Sequence, residues 1–197
     1  MALGLQIPIF PLGTVLYPEG VLPLRIFEQR YLEMTKVCIR DNSAFGVCLI
    51  REGLEVGVPA VPHDTGCTAR IAEWDMPHLG MFHLVVQGET VFRIQEHWTT
   101  KSGLIQAQVE LEPAHQPEPL SGEYADLAEL LGKIMTKLGP ERFPGPARLD
   151  DAVWVAYRLA ELLPLEPDTK QRLLESRDPV EGLREVKTFL QSREVVL

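Results

Sequence analysis

The segment IPIFPLGTVLYPEGVLPLRIFEQRY, from Ile7 to Tyr31, sets the pattern for the first half of the chain. It opens with a short β-prone run, is broken repeatedly by proline and glycine, and leads into a stretch with helical spacing. That stretch runs from Glu28 to about Arg40, and its apolar positions recur at steps of four, three and four: Phe27, Tyr31, Met34 and Cys38. This spacing predicts one amphipathic helix packed on a curled sheet.

The remainder of residues 1–112 is dominated by short β-prone runs separated by glycine and proline. We interpret these runs as strands: LQIPIF, AFGVCLI, CTARIAEW, FHLVVQG, TVFRIQEHW and LIQAQVELE. The last alternates polar and apolar residues, as a strand with one solvated face does. The first half is therefore predicted to be a mainly β unit, with staves of a barrel.

A proline-rich segment at residues 113–120 is predicted to link this unit to a second one, because proline removes a backbone donor and restricts its neighbour. Beyond it, over residues 121–197, the apolar period becomes helical. Ser121, Asp150 or Asp151, and Asp178 are candidate N-caps, and Gly139 marks a helix end. A bundle of four helices follows from this reading.

Charge argues against several classes of partner. The chain carries 19 basic and 28 acidic residues, a net charge of −9, and a phosphate backbone is repelled by such a field. The start MALGLQIPIF has no basic leader, and no run of about 18 apolar residues occurs, so we expect a cytoplasmic protein that is not membrane-bound. The three cysteines Cys38, Cys48 and Cys67 are predicted to be buried and reduced.

No motif for nucleotide or nucleophile chemistry is present, so no cofactor is predicted. His63 and Cys67, with two nearby histidines, match no zinc module, so no metal site is predicted either. Arg25, Glu28 and Arg30 flank a buried-looking Phe27 and Tyr31. We interpret them as an ion-pair network at the helix start, with an anion site as the alternative.

The order of residues in the opening segment also matches a known pattern. Its members are Pro8, Phe10, Pro11, Leu12 and Gly13, then Leu16, Pro18 and Leu24, then the block Ile26, Phe27, Glu28, Arg30 and Tyr31. The pattern continues in AFGVCLI, GCTARIAEW, GETVFRI and the tail LPLEPDTKQRLLESRDPVEGLREV. Together these segments resemble the Lon N-terminal domain family, the substrate-recognition domain of Lon proteases. Gln29 and Val91 depart from it, where the family commonly has proline and arginine.

The resemblance implies an α+β fold, with a PUA-like β-barrel and one packed helix followed by a C-terminal α-helical bundle. The sequence contains neither the ATPase module nor the Ser-Lys protease module of full Lon proteases, so we expect a stand-alone, ATP-independent domain that is not an enzyme. A fold does not by itself assign a function.

The function predicted is binding of exposed polypeptide segments or of a partner protein, as in protein quality control, at the seam between barrel and bundle. Arg25, Tyr31, Trp74 and Trp154 are the candidate binding residues, since aromatic and arginine side chains anchor interfaces. One alternative is a PUA-like RNA-binding module, and another is a small-molecule enzyme that uses a carboxylate such as Glu28. The oligomeric state stays open, with a homodimer as one option.

Overall fold

The computed structural model describes residues 4–176 and 178–193. The chain divides into two compact units, Met1–Pro113 and Ala114–Leu197. In the described residues the first unit has six strands and one helix: β1 (Leu5–Leu12), β2 (Val21–Ile26), α1 (Gln29–Asp41), β3 (Phe45–Glu52), β4 (Val61–His78), β5 (Met81–Thr99) and β6 (Ile105–Leu111). The second has four α-helices: α2 (Ala125–Leu138), α3 (Ala152–Leu162), α4 (Pro167–Glu175) and α5 (Pro179–Ser192).

The strands form one sheet in the order β2-β5-β4-β3-β1-β6, and β5 also pairs with β6. Strands β1, β3, β4, β5 and β6 therefore close into a ring. β5 pairs with β4 along one edge and with both β2 and β6 along the other. Residues 83–87 of β5 pair with β4 and β2 at once, and residues 92–93 pair with β4 and β6 at once, so β2 and β6 lie on the edge opposite β4. The closed ring with helix α1 and the separate helical unit confirms the predicted α+β class and barrel.

Two details of the strand prediction were wrong. FHLVVQG and TVFRIQEHW are parts of a single strand, β5, which runs through Gly88. A Cβ atom at this glycine would overlap the carbonyl oxygen of Tyr17, so the glycine serves a close approach of backbone and not a turn. β2, with the sequence VLPLRI, was not among the predicted strands; it lies in the part of the opening segment that proline and glycine interrupt repeatedly.

The core of the first unit is built from the inward faces of the strands and from α1. The rings of Phe10 and Tyr31 lie 4.2 Å apart, and Phe45 packs on the same ring system. All three cysteines are buried thiols that form no disulfide, as predicted. Burial raises the pKa of Cys48 and Cys38, which favours the unreactive thiol form.

The predicted helix cap at Asp151 is present in the second unit, where its carboxylate accepts hydrogen bonds from Val153 N–H at 3.1 Å and Trp154 N–H at 3.4 Å. Asp178 caps α5 by accepting from Val180 N–H at 2.9 Å. Helix α3 is central, since it contacts α2, α4 and α5. No helix among residues 4–176 and 178–193 combines the length and the apolar character needed to cross a membrane.

Candidate functional site

β2 is an edge strand. It pairs with β5 along one side, and no other strand of the described chain pairs with it. Pro23 lies opposite Val85 of β5 and has no N–H, so this pair cannot exchange the two bonds of a hydrogen-bonded antiparallel pair. By alternation, the backbone polar groups of Val21, Pro23 and Arg25 point away from β5. We call these groups the open edge of β2.

A groove of about 360 Å³ runs along β2 on this side, and we call it the β1–β2 groove. Its floor consists of apolar side chains that belong to the buried core: Phe10, Leu12, Leu24, Ile26 and Tyr31. Its rim contains Arg25, Phe27, Glu28, Glu55 and Val56. The groove thus combines an apolar floor with unpaired backbone groups along one wall.

The groove exists because the pairing between β1 and β6, which closes the ring of strands, covers only the first part of β1. β6 pairs with β1 from Leu5 to Ile9, and beyond Ile9 the described residues offer β1 no strand on that side. Phe10 and Leu12 of this unpaired part line the groove opposite β2. β2 and β6 pair with different stretches of the same edge of β5. β2 therefore lies beyond the end of β6, and in the described chain it does not pair with β1.

The start of α1 forms one end of the groove. Arg30 pairs with Glu28 at 3.0 Å and donates a hydrogen bond to the Gly103 carbonyl at 3.2 Å. Its guanidinium also lies 4.7 Å from the centre of the Tyr31 ring. Burial raises the pKa of Tyr31 to about 12, with Arg30 opposing the shift, so this phenol stays neutral at physiological pH.

Two expectations for this region need correction. Phe27 was expected to be buried, and its side chain is 53% exposed at the rim of the groove. By helical spacing Arg30 lies off the apolar face of Tyr31, Met34 and Cys38, and yet it is only 6% exposed. Helical spacing misassigned both, since Phe27 precedes the helix and the buried pairing with Glu28 compensates the charge of Arg30.

A loop between β3 and β4 lies over the groove, held there by two carboxylates. Glu55 accepts a hydrogen bond from Gly13 N–H at 2.6 Å, and Glu28 accepts one from Gly57 N–H at 3.5 Å. The loop nevertheless exposes apolar side chains to solvent, among them Leu54 and Val56. These side chains extend the apolar surface of the groove into one larger patch, and contiguous exposed apolar patches mark interaction surfaces.

A second depression, of about 620 Å³, lies on the other side of β2, and we call it the β2–β4 depression. Its lining includes Arg25, His83 and Asp75, which are in register across three strands. Trp74 also lines it and is 53% exposed, with its ring 5.9 Å from that of Phe82. β2 is the wall shared by the groove and the depression.

The four predicted binding residues are thus distributed over two units. Arg25 lines both the groove and the depression, Tyr31 lines the groove, and Trp74 lines the depression. Trp154 lies on α3 in the helical unit and is buried there. Sequence reasoning missed Phe27 and the loop around Val56 as rim residues, although an apolar pair flanked by glycines in GLEVG was a usable signal.

The charged side chains at the rim of the groove are largely engaged. Glu28, the candidate carboxylate, is already engaged by Arg30 and by Gly57 N–H. Within residues 4–176 and 178–193, no cluster of three or more histidine, cysteine or acidic side chains is placed to hold a metal ion. What the groove offers is apolar surface, backbone hydrogen-bonding groups and one cation, which are the means of binding a chain.

Comparison with protein families gives a match over nearly the whole chain. A family model described as the substrate-binding domain of ATP-dependent protease La (LON) matches residues 6–192. Lon protease 2 of Myxococcus xanthus is 27% identical over 199 residues, covering 97% of this chain. The Lon protease of Methylocella silvestris is 26% identical over 196 residues. The chain spans about a quarter of the length of these relatives (24% of each).

Solved structures show the same fold. A Lon N-terminal domain protein from Xanthomonas campestris superposes with a TM-score of 0.77 at 34% identity, covering 94% of this chain and 98% of that one. The N-terminal domain of a Mycobacterium avium complex Lon protease superposes with a TM-score of 0.65 at 18% identity and the same coverage, a likeness of fold alone.

Proposed function

Because this chain belongs to the family of Lon substrate-binding domains, we propose that it binds exposed, unfolded polypeptide segments in the β1–β2 groove and performs no covalent chemistry on them. The observation that supports this most directly is the apolar floor of the groove beside the open edge of β2. Such a site suits apolar side chains that a folded substrate would hide.

The rim supports a polypeptide ligand over a small polar metabolite. Phe27 and Val56 extend the apolar surface outward from the floor. Trp74, in the neighbouring β2–β4 depression, supplies a large ring for contacts beyond the groove itself. A segment of several residues covers both surfaces, whereas a small ligand covers only part of one.

The cellular role we propose is ATP-independent recognition of unfolded segments in protein quality control, in the cytoplasm. A specific partner protein that presents such a segment would use the same groove. The net charge of −9 and the acidic residues at the rim and in the depression, Glu28, Glu55, Glu73 and Asp75, favour these ligands over RNA.

Fluorescence anisotropy with labelled, permanently unfolded model polypeptides tests the proposal. We expect saturable binding, and replacing Phe27 with serine should weaken it about fivefold through lost apolar burial. Leu138→Ser is the matched control, because it removes a similarly exposed apolar side chain from the end of α2 and should leave affinity unchanged.

Absence of saturable binding at high micromolar concentration contradicts the proposal. The same assay with single-stranded RNA at low salt separates the alternative class. RNA retention that weakens steeply with ionic strength would indicate a nucleic-acid-binding barrel instead.

A further inference from the structure

We infer that the bound segment adds to β2 as an extra strand, hydrogen-bonded to its open edge, and that it carries an acidic side chain opposite Arg25. The inference rests on the proposed function and specifies how the ligand is held. Strand addition satisfies backbone groups of both partners, so it tolerates many side-chain sequences.

The hydrogen-bond pattern of β2 supports this mode. Gly88 N–H donates to the Gly20 carbonyl at 2.9 Å, and the next hydrogen-bonded pair, two residues along each strand, is Leu22 with Val86. The backbone N–H and C=O groups of the even-numbered residues of β2 therefore point toward β5, and those of Pro23 and the other odd-numbered residues point away from it. The open edge offers the N–H groups of Val21 and Arg25 and three carbonyls.

Space for a strand is present beside this edge. The groove follows β2 from Leu22 to Ile26, and its opposite wall is the part of β1 that lacks a partner on that side in the described chain. An edge of six residues spans about 20 Å in an extended strand. Side chains on one face of the added strand would lie beside Leu22, Leu24 and Ile26, over the apolar floor.

The other face of the added strand would lie beside Arg25. This guanidinium is exposed and has no ion-pair partner within 4 Å among the described residues, and its neighbour across β5 is His83. The two acids at the groove rim are already engaged, Glu28 by Arg30 and Glu55 by Gly13 N–H. Glu73 and Asp75 of β4 lie farther away, separated from Arg25 by β5, in the β2–β4 depression. At the open edge itself, Arg25 is therefore the nearest charge to an added strand.

The expected ligand is thus an extended, mainly apolar segment with one internal aspartate or glutamate. The chain's overall negative charge opposes this acid only weakly, since charges beyond a Debye length of about 8 Å are largely screened at physiological salt. Opposite charges directly across two strands attract at short range.

A second copy of this chain is a poorer occupant of the edge than a foreign segment. Two copies paired through β2 would each contribute Pro23, so two N–H donors would be missing from a short ladder. A foreign segment without proline loses only one, and its own N–H can still donate to the Pro23 carbonyl.

Amide hydrogen exchange on the intact chain tests strand addition. The probe is an eight-residue apolar peptide with one central aspartate and both termini blocked, which removes any terminal carboxylate. We expect the N–H groups of Val21 and Arg25 to exchange fast in the free protein and to become protected by the peptide. Leu22, Leu24 and Ile26 should be protected in both states.

A pair of variants tests the same hydrogen bonds through affinity. Arg25→Pro removes the outward N–H as well as the charge, and Arg25→Ala removes only the charge; Pro23 already shows that this edge accommodates proline. Arg25→Pro should bind about tenfold more weakly than Arg25→Ala. Changing the peptide's aspartate to asparagine should cost about threefold with the native protein and nothing with Arg25→Ala.

The outcomes separate the two proposals. A peptide that binds without protecting Arg25 N–H, or equal affinities of Arg25→Pro and Arg25→Ala, overturns strand addition and leaves polypeptide binding standing. A dimer that keeps the N–H groups of Val21 and Arg25 protected and excludes the peptide would show β2 paired with a second copy, against our inference. Failure of every unfolded polypeptide and peptide to bind overturns both proposals.

Discussion

Arg30 and Glu28 form an ion pair of 3.0 Å at the start of α1, where Arg30 also donates to the Gly103 carbonyl in the turn between β5 and β6. Through the bond from Arg30 to Gly103, the start of α1 is connected to a turn that is distant in sequence. The ion pair also fixes the end of the β1–β2 groove, because Glu28 accepts from the N–H of Gly57 in the loop above it. The buried cation is therefore a structural support of the proposed site.

Replacing Arg30 with methionine should lower the free energy of unfolding by about 2 to 4 kcal/mol, because the partly buried Glu28 carboxylate and the Gly103 carbonyl lose their partner. Denaturant unfolding measures this. Arg40→Met on the same helix is the control: Arg40 is exposed and pairs, within the described part of the chain, with its neighbour Asp41, so the midpoint should not move. Equal effects of the two variants would contradict the structural role of Arg30.

Gly88→Ala should destabilise the first unit by about 3 kcal/mol or more, because the new Cβ would overlap the Tyr17 carbonyl oxygen, which cannot move without the backbone. Thermal unfolding followed by circular dichroism reports it. Gly4→Ala in the same unit places a Cβ at an ordinary 3.5 Å from the Gln108 side chain and should leave the melting temperature unchanged.

Replacing the two candidate tryptophans, Trp74 and Trp154, should affect different properties: peptide affinity in one case and stability in the other. Trp74→Ala removes a half-exposed side chain from the β2–β4 depression and should weaken peptide binding while changing stability by less than about 1 kcal/mol. Trp154→Ala empties a buried position in α3 and should cost about 3 to 5 kcal/mol with unchanged affinity of the folded chain. Anisotropy titration and denaturant unfolding of both variants decide the matter; the reverse pattern would move the site to the helical unit.

Stability of the helical unit should depend on pH through Glu161. Burial raises the pKa of Glu161 to about 7, with the ion pair to Arg158 opposing it, against an ordinary value of 4.5. The folded state therefore holds a proton that the unfolded state has released between these values. The stabilisation is complete below about pH 4.5 and is lost as the pH rises through about 7, by up to about 3 kcal/mol.

Unfolding of Glu161→Gln across this pH range tests the assignment. The variant should lose less stability than the native chain as the pH rises, since its amide does not titrate. Glu129→Gln, in an exposed pair with Lys133, should keep the native slope. Identical slopes for all three proteins would show that Glu161 titrates at an ordinary pKa.

Two helix glycines should respond in opposite directions to alanine. At Gly132 in α2 a Cβ would lie 3.5 Å from Leu149, an ordinary contact, so Gly132→Ala should stabilise by about 0.5 to 1 kcal/mol through helix propensity. At Gly182 in α5 a Cβ would lie 3.0 Å from the Cβ of Ala156 in α3. Gly182→Ala should therefore destabilise, as thermal unfolding of the two variants will show.

Much of this fold could be predicted from local chemistry. The caps Asp151 and Asp178, the stop at Gly139 and the apolar face of Tyr31, Met34 and Cys38 are short-range features, and all appear in the structure where the sequence predicts them. Residue order alone also identified the family, which the family model over residues 6–192 confirms.

The sequence by itself determined the elements, because capping, periodicity and proline restriction act within a few residues. Only the tertiary structure decided which edges were left open. β2 was missed because it lies among closely spaced prolines and glycines, and its own proline is tolerated because β5 pairs with one side of β2 only. The groove depends on the residue of β1 at which its pairing with β6 ends. The register of that pairing is set by residues about 100 positions apart in the chain, which no local sequence pattern can predict.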